Sequence, residues 1–156
     1  MSELPTYRPV MQPEWIDYNG HLRDAYYGLI FSYAIDELMD TVGIDEAYRQ
    51  RTRNTLYSME MHIYFLREIK RDDDIVVKMS VIGADKKRIH LSAALHCARL
   101  PEAAATTDLM LLHVHQGETV KSELFPADVR AKIDTLVQLS AQHPSLGAAS
   151  RKIELR

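Results

Sequence analysis

Trp15-Ile16-Asp17-Tyr18-Asn19-Gly20-His21-Leu22-Arg23-Asp24-Ala25-Tyr26-Tyr27, with the apolar segment that continues to Val42, decides how this chain is read. A carboxylate, a turn glycine and a histidine stand directly before a helix start. There the first backbone N–H groups have no intrahelical acceptor and can stabilise an oxyanion. The stretch is therefore a place for acyl chemistry. From Leu22 to Val42 the residues Leu22, Ala25, Tyr26, Leu29, Ile30, Tyr33, Ala34, Leu38 and Met39 recur at i, i+3 and i+4, a helix of about five turns. The stripe is wide, as in a helix covered on most sides. Gly28 interrupts it at a cost of about 1 kcal/mol against alanine, so another backbone is expected to approach there. Gly43 is placed to end the helix as its C′ residue.

The 156 residues are 46% apolar, enough for one core, so a single domain is expected over 1–156, with 144–156 as a loose tail. A formal charge of −3, from 19 basic and 22 acidic residues, gives no general attraction to nucleic acid or to an anionic membrane. A phosphate-bearing ligand must be met by a local cluster. Cys97 is the only cysteine, which excludes an intramolecular disulfide and a Cys-rich metal site. Met1 to Arg8 holds no apolar h-region, and no apolar run approaches the ~18 residues that span a bilayer. A soluble cytoplasmic protein is expected.

Tyr7 to Met11 reads as a short first strand and Asp45 to Asn54 as a polar connector with one further helical turn. The period then changes. Met59, Met61, Ile63 and Phe65 alternate with Ser58, Glu60, His62 and Tyr64, and Ile75, Val77, Met79 and Val81 continue the pattern beyond a charged turn. Gly83 to Lys87 reads as a hairpin connection. Two more alternating runs, Arg88 to Cys97 and Ala105 to His115, precede a terminal helix from Pro126 to His143. One buried helix followed by four long strands predicts an α+β layout, an antiparallel sheet wrapped around one long central helix plus a C-terminal helix.

Asp17, Gly20-His21, then Tyr27 and Phe31 at the spacing found here resemble the motif of hotdog-fold acyl-CoA thioesterases of the 4-hydroxybenzoyl-CoA type. Helix-then-four-strands is also that family's order. Where the family has two asparagines, this chain has Arg23-Asp24. The fuller string around it, with Leu56-Tyr57-Ser58, Glu60 and His62, and with Met110 to Val114, is similar to the betainyl-CoA thioesterase family of carnitine degradation, whose products are glycine betaine and CoA. The resemblance implies a site between subunits, hence a homodimer or a dimer of dimers, and an acyl-CoA substrate. It implies no metal and no organic cofactor. Another short or aromatic acyl-CoA, or an acyl-CoA-binding module without activity, are the other readings.

Thioester hydrolysis requires a nucleophile or a base for water, donors for the oxyanion and a place for the nucleotide. Asp17 is the carboxylate candidate, by direct attack or through water; its plain alternative is a turn or helix cap. Gly20 lets a thioester approach, or is simply a turn glycine, and His21 orients Asp17 or the loop backbone. The N–H groups up to Tyr27 are the oxyanion donors. Asp24, Asp36 and Glu37 read as a first-turn acid and two solvated helix residues. A trimethylammonium group donates no hydrogen bond, so aromatic faces and one carboxylate would select it, with Trp15, Tyr18, Tyr26, Tyr57 and Glu60 as candidates against a role in the core or an interface. Lys86, Lys87 and Arg88 are candidates for the CoA phosphates, with a solvated turn as the alternative. His113 and His115 share a strand face, but no third metal ligand stands near.

Overall fold

The computed structural model describes residues 3–143, so the expected tail at 144–156 lies outside the described residues. The elements are β1 (Thr6–Tyr7), a 3-10 turn (Pro13–Trp15), α1 (Asp24–Val42), α2 (Glu46–Thr52), β2 (Asn54–Phe65), β3 (Ile75–Ala84), β4 (Arg88–Cys97), β5 (Ala105–Gln116), β6 (Val120–Ser122) and α3 (Ala127–Ala141). The strands form one antiparallel sheet in the order β1-β3-β4-β5-β2, with β6 beside β5. This is the expected α+β layout. Ile30, Phe31, Ala34 and Leu38 of α1 share one core with Val77 and Met79 of β3, Ile89 and Leu91 of β4, and Leu109 and Leu111 of β5. Burying each of the large ones contributes about 1.5–3 kcal/mol, which fixes α1 against the sheet. Val129, Ile133 and Leu136 of α3 close the same core, and Ser140 Oγ accepts the Val81 N–H at 2.8 Å.

Gly43 ends α1 at φ 87°, and a Cβ there would meet Lys132 Nζ at 2.7 Å. Gly28 departs from its expectation. Among the described residues no backbone atom lies within 4 Å of an added Cβ; the nearest neighbour is Ile63 Cδ1, at an ordinary 3.7 Å. The first strand stops at Tyr7, two residues before Pro9, which has no N–H to give to β3. The connector holds two helical turns rather than one, because the Asp45 carboxylate caps α2 by accepting the Tyr48 N–H at 2.8 Å. β6 is short, polar and without periodicity, so alternation did not reveal it. A bulge between Ser58 and Glu60 breaks the alternation of β2 and leaves Met59 60% exposed. Among the described residues β2 pairs only with β5, which leaves its other edge open.

Candidate active site

The turn at Asp17–His21 closes on itself. The Asp17 N–H donates to His21 O at 2.8 Å and the Gly20 N–H to Asp17 O at 3.0 Å, while Gly20 takes φ 80°. Glycine is required there by conformation, since a Cβ would meet no atom within 4 Å. The Asp17 carboxylate completes the turn: Oδ1 accepts the N–H groups of Asn19 at 2.8 Å and His21 at 3.1 Å. The His21 N–H, with that of Asn19, holds the carboxyl below its ordinary pKa, so it is ionised at neutral pH.

The turn is then tied into the fold. Arg23 N–H donates to Trp15 O at 2.9 Å, Leu22 N–H to Ile69 O at 2.8 Å and Arg71 N–H to Gly20 O at 3.2 Å. In the first turn of α1 the Ala25 N–H goes to Asp24 Oδ1 at 2.9 Å and the Tyr26 N–H to Arg23 O at 3.0 Å. The Asp24 N–H has no acceptor among the described residues, whereas Tyr27, the fourth residue of α1, stands where the intrahelical ladder begins. Both residues line a cleft of about 290 Å³, shared with His21 on the helix side and Phe65, Arg67 and Glu68 at the end of β2. His21 Nε2 lies 3.5 Å from Glu68 Oε2, and the Tyr27 and Phe65 rings meet edge to face at 5.2 Å. Burial raises the Tyr27 phenol pKa, against a smaller lowering from the Ile69 backbone. Such a cleft can receive an acyl group whose carbonyl oxygen meets the Asp24 N–H beside an ionised carboxylate.

Asp17, Gly20 and His21 thus share the turn, and His21 and Tyr27 share the cleft, whose lining does not include Asp17 or Gly20. Trp15 is buried and stacks on the half-buried Tyr26 at 6.0 Å, directly behind the turn, whereas Tyr18 is 91% exposed. Asp36 and Glu37 are exposed along α1. Tyr57 and Glu60 do not reach this cleft. Tyr57 accepts a hydrogen bond from Gln116 Nε2 at 3.2 Å, and Glu60 pairs with His62 at 2.9 Å in a separate cleft that also holds His90 and Asp108. Asp108 there is buried, which raises its pKa.

Lys86, Lys87 and Arg88 lie on the β3–β4 hairpin beside Leu112, near the start of β2, whereas Phe65 lies at its end beside Ala105. Arg88 is level with Tyr57 through Leu112, so the eight residues from there to Phe65 separate the two places by ~26 Å along the strand. Arg88 also forks onto Asp85, whose carboxyl is lowered to about 2 chiefly by that guanidinium, and Lys87 Nζ donates to Ser122 Oγ at 2.8 Å. His113 is buried, with Nε2 3.0 Å from the Tyr48 hydroxyl and Nδ1 3.0 Å from Glu123 O, while His115 pairs with Asn54. Among the described residues no group of three or more His, Cys, Asp or Glu could hold a metal ion.

The sequence reading did not single out Phe65 and Glu68 as site residues. Glu68 sat in a charged turn, and only strand pairing carries it to His21.

The family model of the thioesterase-like superfamily matches residues 11–133. A betainyl-CoA thioesterase of Pseudomonas aeruginosa is 38% identical over 152 residues, 97% of this chain and 95% of that one. The L-carnitine dehydrogenase/betainyl-CoA thioesterase of Rhizobium meliloti is 32% identical over 139 residues, 89% of this chain and 28% of that one. A Staphylococcus aureus protein solved in complex with CoA superposes with TM-score 0.86 at 26% identity, covering 99% of this chain and 98% of that one. A Pseudomonas putida KT2440 protein superposes with TM-score 0.85 at 34% identity, covering 100% and 98%. With its turn carboxylate set before the open N-terminus of a long helix, this chain belongs to the thioesterase-like superfamily, with the hotdog fold.

Proposed function

We propose that this chain hydrolyses betainyl-CoA to glycine betaine and free CoA, a step of carnitine degradation, in the cytoplasm and with no metal or organic cofactor. The observation that carries the reading is the unpartnered Asp24 N–H at the start of α1, at a cleft beside the Asp17 turn. The thioester oxygen sits against that donor, which stabilises it as it becomes an oxyanion. Asp17 keeps Oδ2 for chemistry, because Oδ1 is held by the turn. Two routes share these atoms: Oδ2 takes a proton from the attacking water, or it attacks the carbonyl and water then opens the mixed anhydride. In both the C–S bond breaks, CoA leaves as a thiolate that is then protonated, and the acid product departs as a carboxylate.

The charge of the acyl group follows from the cleft's lining. Asp24 puts a carboxylate inside the first turn, where it opposes an oxyanion formed from a neutral acyl group. A quaternary ammonium one carbon from the carbonyl turns that opposition into attraction. Glu68 and the exposed ring of Phe65 supply the remaining surface a trimethylammonium group needs.

The chain acts as a homodimer through the open edge of β2. Antiparallel pairing of two such edges across a two-fold axis brings the Lys86–Arg88 hairpin of the second copy to the same end as this chain's cleft, where the CoA phosphates can meet it. Light scattering is expected to give twice the chain mass of 17.9 kDa or a larger even multiple. A fully active monomer would refute the shared site.

The substrate is tested by comparing kcat/KM for betainyl-CoA with its uncharged isostere, 3,3-dimethylbutyryl-CoA. A good ring contact contributes ~0.5–2 kcal/mol, so two- to thirty-fold preference per ring is expected. Asp24→Asn erodes that preference while leaving the neutral substrate as fast or faster. Equal wild-type rates on both compounds would remove the betainyl assignment.

A further inference from the structure

The loop between β2 and β3 carries the backbone atoms on which the catalytic turn rests. Its near end is fixed by Ala104 O, which accepts the N–H groups of Leu66 and Arg67, both at 2.9 Å. Its middle reaches the site: Ile69 O accepts the Leu22 N–H, the Arg71 N–H donates to Gly20 O, and His21 and Lys70 form a bridge. The turn that carries Asp17 and leads into α1 therefore leans on residues 68–73 on this side.

Those residues are held from the other side by Arg99, on the turn between β4 and β5. Its Nε and Nη2 donate to Asp73 Oδ1 at 2.9 Å and Oδ2 at 2.7 Å, and Nη2 also donates to Glu68 O at 2.8 Å. Asp73 Oδ2 in turn accepts the Lys70 N–H at 2.7 Å. The Asp73 side chain is only 8% exposed, so this fork is shielded from solvent on the carboxylate side. A planar guanidinium with donors on two edges is the group that can hold a carboxylate bidentately and a backbone carbonyl at once; an ammonium is a point charge and cannot.

We propose that Arg99 is a positioning residue for thioester hydrolysis: by clamping Asp73 and the Glu68 carbonyl it fixes the β2–β3 loop, and through Ile69 and Arg71 it sets the place of the Gly20–Leu22 turn and of the α1 N-terminus. Arg99 touches no reacting atom. It acts at a distance through the loop backbone. Removing it leaves the buried Asp73 carboxylate without its fork, and the loop relaxes to bring that charge to water. A misplacement of about 1 Å in reacting groups lowers rates by up to ~10²-fold.

The inference rests on the thioesterase reading of the cleft. Its test uses the full chain and the variants Arg99→Ala, Arg99→Lys and Asp73→Asn, each checked for folding by circular dichroism. On an acyl-CoA that the wild type hydrolyses, Arg99→Ala is expected to lower kcat ten- to a hundred-fold, on the order of that misplacement penalty, with KM nearly unchanged. Arg99→Lys restores part of the loss by pairing with Asp73 alone. The backbone amide resonances of Gly20, His21 and Asp24 shift in Arg99→Ala, a readout that does not depend on turnover. A folded Arg99→Ala with wild-type kcat, or with those three resonances unmoved, overturns the proposal. Should Arg99→Ala fail to fold, wild-type kcat in Arg99→Lys overturns it equally. A wild type that hydrolyses no acyl-CoA refutes the thioesterase reading instead, and the amide shifts still decide whether Arg99 positions the turn.

Discussion

Replacing Asp17 by asparagine separates chemistry from architecture at the one residue that serves both. Oδ1 accepts two N–H groups, from Asn19 and His21, and the amide oxygen of asparagine accepts the same two in the same place. The turn therefore survives, with its charge-assisted bonds reduced to neutral ones and a loss of only a few degrees in Tm. What disappears is the anionic oxygen. A positioned base contributes ~10²–10⁴ in rate, and the lowered pKa of Asp17 makes it a weaker base than an ordinary aspartate, so a fall of about 10² in kcat is expected. Thiol release from an acyl-CoA, followed with a colorimetric disulfide reagent at saturating substrate, measures it. Asp17→Ala provides the contrast, because it strands both N–H donors and loses stability as well as rate. Near-normal turnover in a folded Asp17→Asn would refute the reasoning and reduce Asp17 to a turn cap. The same lowered pKa sets the acid limb: since activity needs the carboxylate, protonation of Asp17 removes it only below the ordinary aspartate range, and this group leaves the rate flat from pH 5 to 8.

Gly28→Ala is expected to raise Tm, by the equivalent of about 1 kcal/mol, because α1 gains helix propensity and the new Cβ meets Ile63 Cδ1 at an ordinary 3.7 Å; a fall in Tm by calorimetry would show that this reading of the position is wrong. His113 is buried neutral, so its folded pKa lies below its unfolded one, the unfolded chain binds the proton first, and stability falls as pH drops below about 6.5, by at most ~1.4 kcal/mol per pH unit from this residue. Denaturant midpoints that do not change between pH 7 and 5 in wild type would count against it. Lys86→Ala is expected to raise KM for acyl-CoA about two- to five-fold while leaving a short N-acetylcysteamine thioester unaffected, whereas Arg88, already bound to Asp85, changes it less by direct contact; equal effects on both thioesters would exclude the phosphate role.

The long helix and the four main strands were legible because their periods are strong and uninterrupted. α1 begins two residues after the expected Leu22, and β3 runs on to Ala84 past a register shift between Val81 and Gly83 that the alternation does not reveal. Met59 was assigned to the apolar face of β2, yet a bulge shifts the register at that residue, and a local irregularity leaves no trace in a period of two. At the site, Asp17, Gly20, His21 and Tyr27 are contiguous or one helical turn apart, so a single stretch displayed them. Glu68, Asp73 and Arg99 are separated by up to 31 residues and meet only through β3–β4 and β4–β5 pairing. Glu60 and Tyr57 had the right chemistry for a cation site and the wrong strand face, which residue type alone does not disclose. The Lys86–Arg88 run was visible as charge, but which end of the sheet it occupies depends on register.

The self-sealed turn at Asp17–His21 makes the site easy to instrument. Its hydrogen bonds run through the backbone and the Asp17 side chain, none through the side chain of Tyr18, which projects almost wholly into solvent. The sole native thiol, Cys97, is buried. A cysteine introduced at position 18 would thus be the one accessible to a maleimide dye, one residue from the reactive carboxylate. Fluorescence from that dye would report acyl-CoA arrival and product departure in stopped flow as separate phases.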